Sequence, residues 1–194
     1  MAAETPGSKS IPIPCPNCSG HALFVETLHP IPHFGNAILT TVDCRKCGFK
    51  LNDVLPAEFK EPASFFVGVR KPKDLETKIV RSSSGTVKIS KLGITIEPGT
   101  AADGFISNLE GLLDRVEAAL KSFLFSPDAP DRKNAEKKLC QIHAAREGKL
   151  AFKVEVLDPY GNSALIGPNV RQRKLSTAAC AKLRSGMPVL ELRK

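Results

Sequence analysis

The sequence predicts an α+β protein that is mainly β, with a zinc ribbon followed by a β-sandwich or rolled sheet that carries an inserted helical hairpin. Three observations support this prediction. Two Cys-x-x-Cys pairs near the N-terminus are separated by 25 residues. Alternating apolar residues typical of half-buried strands occur on both sides of one long helical pattern. Strands before and after one helical hairpin are typical of a layered β domain with an insertion.

The paired cysteines are the strongest chemical signal in the chain. Cys15 and Cys18 form the first pair, and Cys44 and Cys47 form the second. Zinc prefers four thiolates in a tetrahedron, and each tight turn supplies two of them. Gly48 follows the second pair, where such a turn often needs a positive φ. We therefore predict one structural Zn²⁺ ion whose four protein ligands leave no open position for catalysis.

Two other uses of Cys-x-x-Cys fit less well. A disulfide framework suits a short secreted chain, and the first ten residues lack an apolar signal core. A thioredoxin-like motif is single and opens a helix, whereas strand-like residues 23–28 and 38–42 lie between these two pairs. Cys140 and Cys180 lie outside the set, and we interpret them as small core residues.

The composition predicts a soluble cytoplasmic protein. No apolar run is long enough to span a bilayer, and unpaired thiols suit a reducing compartment. The net charge is +8, but residues 11–56 carry three basic and three acidic side chains. Residues 170–194 carry seven basic and one acidic. The chain has no Trp and one Tyr, so a base-stacking surface is not evident.

The first half of the chain divides into a flexible N-terminus at 1–10, the ribbon at 11–56 and a hinge at 56–62. Within the ribbon, residues 29–36 form a Pro/Gly-rich turn at the far end of a hairpin. Ile31 and Phe34 in this turn either fold back onto the protein or form an exposed contact patch. The β domain at 63–168 begins with strands predicted at 65–69, 77–80, 85–89 and 92–97.

The helical hairpin is predicted at about 107–148. Ser107 and Glu110 fit a capping box, so the first helix is expected to begin near Ser107. A stripe of apolar residues follows on one helical face. A Pro-rich turn ends that helix, and a second helix is predicted from about Asp131 to Glu147. The short connection predicts an antiparallel pair.

The last part of the chain returns to strands. Strands are predicted at 151–157 and 164–166, joined by the turn 158–163 as a hairpin connection. Ser176 is expected to cap a short helix through Leu183, and residues 188–192 are predicted to form a last strand. We assign residues 169–194 to a basic C-terminal segment.

Several of these motifs, in this order, resemble the ZPR-type zinc-finger family. The resemblance covers roughly residues 11–166 and is carried by these stretches: 15–18, 31–34, 44–48, 52–54, 74–75, 80–82, 94–99, 109–113 and 158–163. One finger is present where eukaryotic members have two, so the chain resembles the single-module, archaeal-type form. The resemblance implies a double-stranded β-helix (jelly-roll-like) domain with an inserted helical hairpin.

The family resemblance also implies a function. It implies an adaptor or folding helper that binds the translation elongation factor one-alpha, a GTPase. On this hypothesis Ile31, Phe34, Tyr160, Gly161 and Asn162 contact the partner, although the residue chemistry of the turn alone favours a simple connection.

Two other classes of function fit the sequence less well. A nucleic-acid-binding ribbon would use the basic side chains Arg171, Arg173, Lys174, Lys182 and Arg184 to contact phosphates. An enzyme is not expected, because the β domain contains only His143 and no catalytic or phosphate-binding motif. No small-molecule substrate or membrane partner is evident.

Overall fold

The computed structural model describes residues 8–31, 35–57, 60–99 and 102–184. The described residues form twelve strands in three antiparallel sheets, together with three α-helices. This architecture confirms the mainly β fold class. None of the helices in the described ranges is long and apolar enough to cross a bilayer.

The ribbon is a four-stranded sheet with its strands in sequence order. Its strands are β1 (Ser8–Pro14), β2 (His21–Ile31), β3 (Gly35–Asp43) and β4 (Lys50–Pro56). Residues 8–10 pair with residues 25–27 of β2, so β1 begins before the predicted boundary at Ile11. The two cysteine turns connect β1 to β2 and β3 to β4, which places both at the same end of the long β2–β3 hairpin.

The rest of the strands form a five-stranded and a three-stranded sheet. They are β5 (Ala63–Val69), β6 (Lys78–Arg81), β7 (Thr86–Ser90), β8 (Ile94–Ile96), β9 (Phe105–Asn108), β10 (Phe152–Asp158), β11 (Ala164–Ile166) and β12 (Arg171–Lys174). The sheet orders are β12-β5-β10-β7-β8 and β11-β6-β9. A 3₁₀ turn at Pro72–Glu76, which the sequence analysis did not predict, lies between β5 and β6.

The helices pack their apolar stripe on this body. They are α1 (Leu109–Phe123), α2 (Ala129–Arg146) and α3 (Thr177–Cys180). Leu109, Leu112 and Leu113 are fully buried in one cluster with inward residues of β7 and β10. Arg146 at the end of α2 pairs with Glu117 of α1 at 3.1 Å, as expected for antiparallel helices. The predicted helical hairpin is therefore present.

The start of α1 differs from the prediction. Ser107 lies on β9 and pairs with Ile79, so it does not cap the helix. Asn108 is the N-cap, and its side-chain oxygen accepts a hydrogen bond from the Gly111 amide at 2.8 Å. The strand β9, which was not predicted, continues directly into the helix and fixes this cap one residue later than the sequence pattern indicates.

The second helix, in contrast, starts earlier than predicted. It begins at Ala129, because Pro130 occupies the first turn of the helix instead of ending the preceding loop. Proline is tolerated there, since the first amides of a helix have no intrahelical acceptor. Cys140 is exposed on this helix, so its interpretation as a core residue is wrong, and Cys180 is only half-buried at the end of α3.

The turn at 158–163 is not a hairpin connection. β10 belongs to the five-stranded sheet, whereas β11 pairs with β6 in the three-stranded sheet. The turn therefore carries the chain from one sheet to the other.

The C-terminal part of the chain also differs from the prediction. Residues 171–174 of the predicted basic segment form β12, which pairs with β5. Ser176 caps α3 as predicted, accepting from the Ala179 amide at 3.2 Å. The strand predicted at 188–192 lies outside the described residues.

The helix cap can be tested with two neighbouring substitutions. We expect Asn108→Ala to lower the free energy of unfolding by about 1 kcal/mol, because it removes an acceptor for an orphan amide. Ser107→Ala is the matched control and should change stability less. Denaturant unfolding of both variants measures the difference, and a larger loss from Ser107→Ala would contradict the assignment.

Candidate metal centre

Four sulfur atoms meet at one end of the ribbon. The Sγ atoms of Cys15, Cys18, Cys44 and Cys47 all lie within 4.8 Å of one another. The distances from Cys15 to Cys47 and from Cys18 to Cys44 are both 3.7 Å. A tetrahedron with Zn–S bonds of 2.3 Å places its sulfurs about 3.8 Å apart. The donor set and its spacing therefore fit one structural zinc ion, as predicted.

The two cysteine turns have the same backbone design. In the first, the Ser19 amide donates to the Cys15 carbonyl at 2.9 Å, and in the second the Gly48 amide donates to the Cys44 carbonyl at 2.9 Å. Ser19 and Gly48 both have positive φ, 54° and 73°. The prediction for Gly48 is confirmed, and Ser19 takes the same conformation with a side chain present.

Backbone and side-chain donors surround the sulfurs. The Asn17 amide approaches Cys15 Sγ at 3.4 Å, and Asn17 Nδ2 approaches Cys47 Sγ at 3.7 Å. Such donors stabilise negative charge on the sulfurs. Cys15 and Cys44 are buried, so the outer sulfurs are those of Cys18 and Cys47.

The sulfurs differ in acidity before a metal binds. The Phe49 amide lowers the pKa of the Cys47 thiol to about 6, so this sulfur is largely a thiolate at neutral pH. The Gly20 amide lowers the pKa of Cys18, but its contact with Cys47 and burial outweigh this effect and raise it to about 11. Metal binding therefore displaces protons from the more basic thiols.

The opposite end of the ribbon packs on the β domain. Ile31 is 7% exposed and clusters with Ala37 and Val54 of the ribbon and with Val80 and Ala164 of the β domain. Of the two alternatives for Ile31, the structure therefore supports folding back, and Ile31 is not part of an exposed patch. Phe34 lies outside the described residues.

A carboxylate joins the ribbon to the β domain at the same place. Asp53 of β4 accepts from the Ser83 amide at 2.9 Å and from the Ser83 hydroxyl at 2.6 Å. The carbonyl of Asn52, the preceding residue of β4, accepts a hydrogen bond from the Gly104 amide at 2.9 Å. The Gly104 position is crowded, because a Cβ atom there would lie 2.7 Å from the Val54 amide nitrogen.

Behind Ser83 lies a buried polar network centred on Asp158. The Asp158 carboxylate accepts hydrogen bonds from the hydroxyls of Ser82 at 2.7 Å and of Ser84 at 2.9 Å, and also from that of Ser163. Asp158, Ser82 and Ser163 are all 0% exposed. A buried carboxylate needs these hydrogen bonds, because an unpaired charge in the interior raises the free energy of the folded protein.

A buried arginine supplies the opposite charge. Arg81 is 4% exposed and donates to the carbonyls of Gly85 and Asp103, each at 2.9 Å. Burial lowers the pKa of Arg81, and the charges of Asp158 and Asp53 oppose that shift. The network therefore ties the ribbon, the turn at 82–84 and the turn at 158–163 into one junction.

The three predicted contact residues of the 158–163 turn differ in exposure. Tyr160 is 44% exposed. Gly161 is buried with φ 69°, and a Cβ atom there would lie 2.4 Å from the Glu61 carbonyl oxygen. Asn162 is half-buried. The turn is thus packed against the hinge, and Tyr160 is the exposed side chain of the turn.

The predicted nucleic-acid contacts are all exposed, but three of the five are engaged in ion pairs. Arg173 pairs with Glu155 at 3.3 Å, Lys174 with Glu61 at 2.8 Å and Arg184 with Glu97 at 3.4 Å. Within the described residues, Arg171 and Lys182 have no acidic partner. They lie on β12 and just after α3, so these cations do not form one uninterrupted basic track.

Sequence reasoning missed the residues of the junction. The sequence patterns place Asp53 in the ribbon and Asp158 and the serines at 82, 84 and 163 in or near turns, and they assign no contact to any of them. The one signal was the family resemblance, whose stretches 52–54, 80–82 and 158–163 contain Asp53, Ser82, Asp158 and Ser163. Five residues from three separate segments converge, and period and spacing do not report such long-range contacts.

The comparisons with known proteins agree with this architecture. The model of the ZPR1 zinc-finger domain matches residues 9–61, and that of the ZPR1 jelly-roll domain matches residues 73–180. An uncharacterized ZPR1-like protein of Pyrococcus horikoshii is 42% identical over 178 residues, which cover 89% of this chain and 80% of that protein. A similar protein of Methanocaldococcus jannaschii is 38% identical, covering 92% of this chain and 91% of that protein.

A eukaryotic relative is also similar over part of its length. The zinc finger chaperone zpr1 of Schizosaccharomyces pombe is 32% identical over 158 residues, which cover 78% of this chain but 34% of that protein. This chain therefore spans about a third of the length of that relative.

The two cysteine turns provide a test of backbone strain. Gly48→Ala should lower the free energy of unfolding of the zinc-loaded protein by about 1 kcal/mol, because Cβ atoms disfavour positive φ. The space around Gly48 is open, so the effect isolates the backbone conformation. Ser19→Gly should be neutral or stabilising for the same reason.

Gly68→Ala is the matched control, because Gly68 also has open space but no positive φ. Denaturant unfolding in excess zinc measures all three variants. Equal losses from Gly48→Ala and Gly68→Ala would contradict the account.

Proposed function

The chain belongs to the ZPR1 zinc-finger family, and on that premise we propose that it is a zinc-stabilised adaptor that helps a translation elongation factor of the one-alpha type to fold or assemble. Among the eukaryotic relatives, that of Schizosaccharomyces pombe is named a zinc finger chaperone, and that of Mus musculus is named a zinc finger protein. The proposed role is binding without catalysis. A cytoplasmic location is part of the proposal, and the free thiols of Cys140 and Cys180 support it.

The observation that carries the binding role is the apolar tip of the helical hairpin. Phe123, the last residue of α1, is 50% exposed, and Phe125, in the turn before α2, is 88% exposed. Large aromatic side chains bring much binding energy to interfaces when they are buried there. Two such exposed residues at the end of the hairpin favour a docking surface for another protein.

Tyr160 is a second candidate contact. It is exposed, and the buried Asp158 accepts from its backbone amide at 2.9 Å. The turn is therefore held in one conformation before any partner binds, which lowers the entropic cost of association. The proposal thus keeps Tyr160 and Asn162 as partner contacts and adds the hairpin tip. Gly161 keeps a supporting role, because its positive φ orients the chain so that Tyr160 and Asn162 take their positions in the turn.

The proposal is tested by pull-down of purified elongation factor one-alpha with the zinc-loaded chain. Phe125→Ala is expected to weaken binding by at least about tenfold, as for a central aromatic contact. Ile106→Ala is the matched control, because Ile106 is exposed by 41% on β9, away from the tip. No binding by the unchanged protein would contradict the proposal, and equal effects of the two variants would remove the hairpin tip from it.

The surfaces predicted from the sequence need their own test. Phe34→Ala and Asn162→Ala are examined in the same pull-down, with circular dichroism to check that each variant is folded. A loss of binding from Asn162→Ala without a loss of structure supports a direct contact at the turn. Unchanged binding in both variants would remove these two residues from the contact surface.

A further inference from the structure

The strand β12 lies at one end of the five-stranded sheet. It pairs with β5 on one side, and no other strand of the described chain lies along its second side. All four of its residues are exposed. Such an edge presents unpaired backbone groups that can accept another strand.

The register shows which backbone groups face the open side. The Leu175 amide donates to the Pro62 carbonyl at 3.0 Å, which continues the pairing of β12 with β5. Residues of an antiparallel pair alternate between facing the partner strand and facing away from it. Arg171 and Arg173 therefore direct their backbone groups to β5. The amides and carbonyls of Gln172 and Lys174 face the open edge.

An apolar groove opens on one face of β12 and β5, next to β11. It has a volume of about 560 Å³ and is lined by Phe65, Leu165, Ile166, Pro168, Val170 and Gln172. Gln172 and Lys174 also line an adjoining cavity next to the hinge. The side chains of Gln172 and Lys174 thus lie on the groove side of the strand, while those of Arg171 and Arg173 lie on its other face.

The edge strand itself carries three basic side chains, two of which form ion pairs with Glu155 and Glu61. Residues 170–184 contain five basic and no acidic side chains. Arg171 is exposed and has no acidic partner in the described chain. The Lys174–Glu61 pair is exposed on both sides, and in the other pair Arg173 is exposed while Glu155 is largely covered. Exposed ion pairs are worth little and exchange readily with another acid. A second copy of β12 would bring like charges together, so pairing of two copies is disfavoured.

We propose that the open edge of β12 and the groove beside it bind an extended, acidic segment of a partner protein by strand addition. The segment forms backbone hydrogen bonds to Gln172 and Lys174. Its acidic side chains face Arg171 and Arg173, and its alternate apolar side chains enter the groove. This surface goes beyond the elongation-factor proposal and does not rest on it.

The basic edge residues also have a simpler role, which is to prevent edge-to-edge aggregation. That role accounts for the charges but not for the apolar groove on the face of the same strand. A nucleic acid would use the cations but not the outward amides of β12. Backbone pairing therefore separates strand addition from both alternatives.

The test uses the full zinc-loaded chain and fluorescence anisotropy. The probe is a short labelled peptide in which glutamate alternates with valine, and the control peptide carries lysine in place of glutamate. We expect the acidic peptide to bind more tightly, with an affinity that falls as salt rises. Arg171→Glu should weaken it by at least about fivefold, because it removes one attraction and adds one repulsion.

Gln172→Pro tests the backbone bonds directly. It removes the outward amide while the amides of Arg171 and Arg173 remain available to β5, and binding of the acidic peptide should fall severalfold. Lys137→Glu on the exposed face of α2 is the control for Arg171→Glu, because it changes the net charge by the same amount, and it should have little effect on peptide binding. Thermal unfolding verifies that each variant is folded. If Gln172→Pro does not fold, the binding of the peptides to Arg171→Glu still tests the proposal.

Three results would overturn the proposal. They are equal binding of the acidic and basic peptides, no binding of the acidic peptide, and tighter binding of a single-stranded RNA oligonucleotide that is lost with Arg171→Glu but unaffected by Gln172→Pro. The last result would assign this edge to nucleic acid.

Discussion

The ribbon depends on the attraction of four thiolates to one cation. A four-stranded sheet with half-buried faces has little apolar core, and its largest cluster near the cysteines is small. Without a metal, four thiols within 4.8 Å of one another would offer weak contacts and growing repulsion as they ionise. Zinc converts that repulsion into the strongest contact of the module and closes both turns at one end of the β2–β3 hairpin.

The order created at the cysteines reaches the β domain through the length of that hairpin. Ile31 and Ala37 at its far end pack on Val80, while Asp53 holds Ser83. The adjacent serines then satisfy Asp158, which in turn fixes the turn that carries Tyr160. Two modules that the sequence presents as separate are thus joined by an apolar contact and a fully satisfied polar network, and such networks favour one specific arrangement.

Local patterns predicted the elements well where chemistry or period was strong. The cysteine spacing indicated the metal centre, and the leucine stripe indicated α1. The errors arose where a distant partner decides the outcome. β9 pairs with β6 and moves the cap of α1 from Ser107 to Asn108, and β11 pairs with β6 instead of β10. The Asp158 network joins residues up to 81 positions apart, and a single sequence carries no local signal for such contacts.

The central claim is that zinc orders the ribbon and that the ribbon orders the junction. Hydrogen exchange of the full chain, measured with bound zinc and after chelation on a preparation of known metal content, tests it most directly. We predict one zinc ion per chain, and after chelation a loss of protection in β1 to β4 and at residues 82–84, while α1 and β10 stay protected. Full protection of the ribbon in the metal-free chain would contradict the account.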